Sequence, residues 1–433
     1  MNDEYSLPVA ERQALEELAT LLRERGIPVA GAGLPVQAIE EPGFASGRAN
    51  YYIKDNHLVA LSLRYCALTV LPSSIGHLCR LEYLDLSGNQ LTALPDTLGK
   101  LVNLRKLRLD DNRLTDLPVA LENLTRLEEL HLDKNELQTL PAGFSQLSSL
   151  QVLSLYSNKL SELAGCLKYL TGLEELSVGH NLLTTLPDWL WQLQKLRLLN
   201  VAENHISSIS ESIANLKELH TLDLGHNALA ELPEAIGELA NLTHFLYISD
   251  NQLKSLPEAL GNLRKLQYLN VTDNQLSDLP ESLGNLSQLR ELRLYNNRLE
   301  RLPDNIGNLT RLKELHLRNN RLISLPDSFG NLAALQLADL SDNRLESLPE
   351  SLGSLSLLAH LDLRNNHLLE LPASTCGLQN LTFLDLRNNR LVSLPGAIGE
   401  LPKLAKLDLR WIKLASVPAW LYPLQERGCT IYR

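Results

Sequence analysis

Leucines recur in this chain on a period of 23 residues from Leu58 to Leu404, so the fold must set equivalent side chains at equivalent points of a stack. The segments LEYLDLSGNQLTALPDTLGKLVN from Leu81, LRKLRLDDNRLTDLPVALENLTR from Leu104 and LEELHLDKNELQTLPAGFSQLSS from Leu127 define the template LxxLxLxxNxLxxLPxxLGxLxx. Units open at Leu58, Leu81, Leu104, Leu127, Leu150, Leu173, Leu196, Leu219, Leu242, Leu266, Leu289, Leu312, Leu335, Leu358, Leu381 and Leu404. That makes sixteen units, all of 23 residues except the 24-residue one at Leu242. A chain of 433 residues exceeds what one globular core accommodates, about 250 to 300 residues, and stacking removes that limit.

The LxL alternation at positions four to six is a period-two strand signal that turns leucines inward and the intervening residue outward. One short strand per unit, paired in parallel with its neighbours, follows. Position nine is Asn in fourteen units, from Asn89 to Asn389, because an inward amide both donates to and accepts from backbone where the chain leaves the strand. Cys66 and Ile412 replace it in the first and last units, where one neighbour is missing. The LPxx(L/I)G stretch turns the chain back, in a short helical or 3-10 turn.

The pattern resembles the 23-residue leucine-rich repeats of bacterial proteins, of plant intracellular Ras-group repeat proteins and of animal Ras-pathway repeat scaffolds. The resemblance implies an α/β leucine-rich-repeat solenoid, a horseshoe with a concave parallel sheet and turns on the convex side, used mostly for protein recognition. Residues 1–57 are expected to form an N-terminal cap, with a helix over 8–25 followed by a hairpin strand. Leu15, Leu18, Leu21 and Leu22 share one face of that helix, which stops at Gly26. Residues 58–426 are the repeats and 427–433 a C-terminal cap tail, with Trp420, Leu421, Leu424 and Ile431 covering the last coil.

A net charge of -11 argues against nucleic acid as the ligand. The longest apolar runs fall short of the roughly 20 residues that span a bilayer, so no membrane insertion is expected. The acidic N-terminal segment lacks the character of a signal peptide, and five irregularly spaced cysteines suit a reducing compartment. A cytoplasmic monomer is the expectation. Export by a specialised bacterial system, to engage a host molecule, is the alternative. No phosphate loop, HExxH helix, GxSxG elbow or calcium loop occurs, so no enzymatic activity, cofactor or metal is expected.

Function therefore rests on what the template leaves free on the strand face. His220, His244, Phe245, Tyr247, Tyr268, Arg293, Tyr295, His316 and His360 are expected on the concave surface. Aromatic groups there have no core to fill and are typical anchors for a protein partner, although cross-strand stacking that steadies the sheet is the competing role. Asp339, Asp362, Asp385 and Asp408, flanked by Arg364, Arg387 and Arg410 with Arg318 upstream, read as a solvated charge lattice, with a docking site as the competing role. The extra residue in LTHFLYISDN is expected to bulge its strand.

Overall fold

Position one of every repeat is already inside, and the same holds down the template. In the repeat opening at Leu289, the side chains of Leu289, Leu292, Leu294, Leu299, Leu302, Ile306 and Leu309 are all buried. They come from the strand, the loop after it and the return turn. One short coil thus supplies a slice of core that only its neighbours can close. A computed structural model describes residues 7–27, 29–30, 34–35 and 49–433, in two compact units, Met1–Ile206 and Ser207–Arg433.

In the first unit the helix α1 spans Val9–Glu24 and buries Glu11, Ala14, Leu15, Leu18, Ala19 and Leu22, with Leu21 half-buried at the margin. Gly26, at φ 70°, supplies the left-handed residue that ends it. Glu11 is the one charged group on the buried face. Its carboxylate accepts the Leu58 N–H at 3.0 Å and faces His57 Nδ1 at 2.6 Å, which ties the helix to the first repeat. The hairpin is Ala49–Lys54 against His57–Leu63, joined through Asp55 and Asn56, both at positive φ as a tight primed turn requires. From His57–Leu63 onward, three-residue strands follow in parallel register through Tyr83–Asp85 to Leu198–Asn200.

In the second unit the strands run in parallel from Thr221–Asp223 to Lys406–Asp408. Return turns are 3-10, as in Glu281–Asn285, and start after a Pro whose carbonyl accepts the first turn's N–H. Ser210 stands where most repeats have that Pro; its carbonyl accepts the Ile213 N–H at 3.1 Å as the Pro carbonyl does, and its hydroxyl accepts the Ser212 N–H at 3.2 Å in addition. At the C-terminal end a short helix, Leu421–Glu426, buries Leu421 and Leu424. The tail adds more than a lid: Thr430–Tyr432 pairs with Lys406–Asp408 as one further parallel strand.

Asn side chains bind one coil to the next. Asn297 Oδ1 accepts the Leu276 N–H at 3.1 Å, while its Nδ2 donates to Val271 O at 2.9 Å and to Leu294 O at 3.0 Å. The residue before each such Asn lies at positive φ, for example Asp273, Asn296 and Asn319. Position eight is accordingly rich in Asp and Asn, the side chains most tolerant of that region after glycine.

The expected bulge at the inserted residue is not formed. Phe245–Tyr247 pairs residue for residue with Thr221–Asp223 on one side and Tyr268–Asn270 on the other. A bulge would have turned Leu246 out of register with Leu222 and Leu269, and hence out of the core. The extra residue is taken up before the strand, where the His244 N–H reaches His220 O at 3.0 Å.

Candidate functional site on the open sheet face

Because Leu occupies positions four and six, positions three and five of each strand in Ser207–Arg433 point away from the core and form an open face. In most strands this face is polar. Around Phe245–Tyr247 it is aromatic. The Phe245 ring stacks on Tyr247 at 5.6 Å and meets Tyr268 edge-on at 5.5 Å, and Tyr247 lies 5.0 Å from Tyr268. His244 lies 6.3 Å from Phe245 and 5.7 Å from His220, extending the group toward the strand entrances. Phe245 keeps 40% of its surface exposed, against the tendency of so large an apolar side chain to be covered.

Arg293 borders the rings. Its guanidinium lies 5.6 Å over Tyr268, and its Nε bonds Glu291 at 2.5 Å. Burial pushes the Tyr268 phenol up to about 12, and burial with the nearby Asp223 charge raises Tyr247 as well. Both stay neutral donors at any physiological pH, so the patch offers apolar faces, phenol hydroxyls and one guanidinium.

Tyr295 stands at position seven, beyond the strand, where its phenol is close enough to Arg293 to act on it electrostatically. His316 departs from the aromatic group and joins acids: its Nε2 lies 3.3 Å from Glu314 and 4.0 Å from Glu291. Among the described residues, Glu291, Glu314 and His316 are the set whose donor atoms converge closely enough to hold a metal ion, all within 4.8 Å. His360 lies two strands further on and belongs to another cluster. It stacks on Phe383 at 4.1 Å, Lys406 sits between the Phe383 and Tyr432 rings, and Arg410 lies near Tyr432 and Trp411. Burial lowers the His360 pKa despite the pull of Asp339 and Asp385, so this imidazole is neutral at pH 7.

Phe383, Lys406, Tyr432, Glu291 and Glu314 do not stand out in the sequence. Four of them occupy position three, whose outward direction is a readable signal, and Tyr432 lies in a tail whose strand pairing the repeat template does not describe.

The acidic column is not a solvated lattice. Asp385 and Asp408 each keep 1% of their surface exposed. Each position-five acid accepts the N–H two residues on: Arg364 to Asp362 and Arg387 to Asp385, both at 3.1 Å. Asn200 and Asn270 do the same in their own repeats. The column is therefore a turn-closing device first, with arginines added around the buried charges. Burial would raise Asp408, but the Arg410 side chain and N–H outweigh it and hold the carboxyl below its usual range. Burial wins at Asp362, which is pushed from 3.8 up to about 6.

A group raised in the folded state stabilises below its unfolded pKa and loses that contribution as pH rises through the folded value. Asp362→Asn keeps the turn-closing acceptor and removes the buried charge. It should therefore raise stability by about 1 to 2 kcal/mol at pH 8, and the gain should vanish as pH falls from about 6 to 3.8. Thermal melts across that range read the difference.

A family model of the leucine-rich repeat region matches residues 48–132, 184–271, 241–321 and 327–426, and a leucine-rich repeat model matches 311–332. The chain belongs to the leucine-rich-repeat proteins. No curated protein matches this leucine-rich-repeat chain. Among solved structures, a leucine-rich-repeat protein of Leptospira interrogans is 32% identical, with 85% of this chain covering 82% of that one at a TM-score of 0.58. The plant peptide hormone receptor RGFR1, solved in complex with RGF2, is 28% identical over 84% of this chain and 68% of its own, with a TM-score of 0.63. An internalin, inlF of Listeria monocytogenes, shares the fold at 24% identity and a TM-score of 0.62, over 82% of this chain and 95% of its own. No helix among the described residues is long and apolar enough to cross a membrane.

Proposed function

We propose that this leucine-rich-repeat protein is a non-enzymatic scaffold that binds a protein segment across the open sheet face of Ser207–Arg433. Phe245, Tyr247 and Tyr268 are the anchors, and Arg293 takes a polar or acidic group beside them. The observation that carries the reading is the packed aromatic group on a surface with no core to fill, with Phe245 at 40% exposure. Cross-strand stacking alone would stabilise the sheet with the rings covered by one another. Here Phe245 keeps 40% of its surface exposed despite its ring contacts. The similar receptor RGFR1, solved with RGF2, supports a peptide or protein ligand over a small molecule. The reading puts the protein in the reducing cytoplasm as a monomer, which its five free thiols suit.

Affinity capture with the wild-type chain, repeated with Phe245→Ala and Tyr268→Ala, tests this. For a partner so identified, each variant should lose at least about 2 kcal/mol of affinity, roughly 30-fold, with a melt close to wild type. Equal affinity in wild type and both variants would remove the patch from the function. Recovery of the native protein from medium or cell surface would replace the cytoplasmic assignment with the exported alternative.

A further inference from the structure

The geometry points to a metal site that the sequence alone did not suggest: Glu291, Glu314 and His316 hold a divalent first-row transition ion of the zinc class. The three donors come from adjacent strands locked in register, Glu291 opposite Glu314 and Arg293 opposite His316. Two carboxylates directly opposite one another repel, and such pairs destabilise a sheet unless a cation lies between them. Among the described residues, no Lys or Arg forms an ion pair with Glu314; its partner is the imidazole of His316, at 3.3 Å. That imidazole also faces Glu291 at 4.0 Å, so its Nε2 is directed between the two acids.

Zinc binds imidazole nitrogen at about 2.0 to 2.1 Å and carboxylate oxygen at about 2.0 to 2.2 Å, which puts neighbouring donors about 3.4 Å apart. The observed separations, none above 4.8 Å, close to that by small side-chain rotations. Arg293 bonds at 2.5 Å the same Glu291 oxygen that faces His316 at 4.0 Å, so Glu291 would ligate through its second oxygen after a small rotation, with Arg293 as the outer partner that orients the carboxylate. An imidazole in the donor set selects transition ions over calcium or magnesium, and three protein ligands leave a position open to water or to a partner's own donor.

The chain contains its own comparison. Glu129 and His131 repeat the same Glu-Leu-His order, but the facing residue on the preceding strand is Lys106, whose ammonium lies 2.6 Å from Glu129. There the protein supplies the cation. At Glu314 and His316 the facing residue is a second carboxylate; Arg293 pairs with Glu291 from its own strand, and among the described residues no Lys or Arg pairs with Glu314.

Calorimetric titration of chelator-treated full-length protein with zinc chloride at pH 7.5 tests the site. Saturable uptake of one ion per chain is expected, weakened by about tenfold or more in His316→Ala and in Glu314→Gln. His131→Ala should bind as wild type, and excess magnesium or calcium should not compete. Tyr268→Ala should also keep the zinc affinity, so failure of the aromatic patch and failure of the metal site are read separately. Absence of saturable uptake, or uptake that His316→Ala leaves unchanged, overturns the proposal. Melts of Glu314→Gln matching wild type exclude misfolding as the cause of a loss.

Discussion

Asn297→Ala should cost about 2 to 4 kcal/mol of stability, although the substitution removes only a few atoms and touches no partner surface. The Leu276 N–H, held by Asn297 Oδ1 at 3.1 Å inside the stack, would have no acceptor. A buried donor without a partner loses its full hydration, about 1 to 3 kcal/mol. The carbonyls of Val271 and Leu294 lose one donor each but keep others, from Asn274 and Asn320, so they add less. Asn297→Asp separates the acceptor from the donor. It restores the acceptor but sets carboxylate oxygen against those carbonyls, so it should be as destabilising as Ala at neutral pH and recover on acidification. Urea melts followed by circular dichroism measure all three. A wild-type midpoint for Asn297→Ala would mean that leucine packing and strand pairing join the coils without help from the Asn side chain.

The second large effect is expected at Arg387. Its guanidinium bonds Asp385 at 2.6, 2.9 and 3.0 Å and reaches Asp408 at 3.4 Å, and both carboxylates are almost fully buried. Removing one partner of a buried pair leaves a charge that water cannot reach, at about 3 to 5 kcal/mol in well-enclosed cases. Arg387 retains some solvent contact, and Asp385 keeps a backbone N–H, so Arg387→Met should cost about 2 to 4 kcal/mol. Arg301 bonds Asp278 at 2.8 Å in open solvent, and Arg301→Met should leave the melt where it is. Equal effects at the two sites would contradict the role given to burial.

The fold was readable because its determinants are local and repeated. Leu292 and Leu294 declare one inward face in three residues, and the same instruction in neighbouring repeats fixes register without any long-range information. The Asn ladder followed from the donor and acceptor capacity of one side chain. The helix at Val9–Glu24 showed its buried leucines, though not Glu11, whose partners His57 and Leu58 open the strand His57–Leu63, 46 and 47 positions away in sequence.

The site was readable only as a set of outward positions. Which of those side chains touch depends on rotamers and on the neighbour across the strand, so His316 and His360 separate from the tyrosines that share their outward direction. The insertion at His244 reads as part of the strand because its count is visible in sequence, whereas the ease of extending a loop relative to flipping Leu246 is a matter of packing. The Asp column misleads for a related reason: alignment in a column shows repetition, and only the hydrogen bond to the N–H two residues on shows that the repetition closes a turn.

The central claim, that the aromatic group on the open sheet face is where a partner sits, is tested most directly by photo-crosslinking. A benzophenone amino acid is placed at Tyr268 in one variant and, in another, at the exposed Tyr169 on a return turn. Position 268 should give a discrete protein adduct and position 169 none. Adducts from 169 alone would take the binding surface away from the aromatic group and contradict the account.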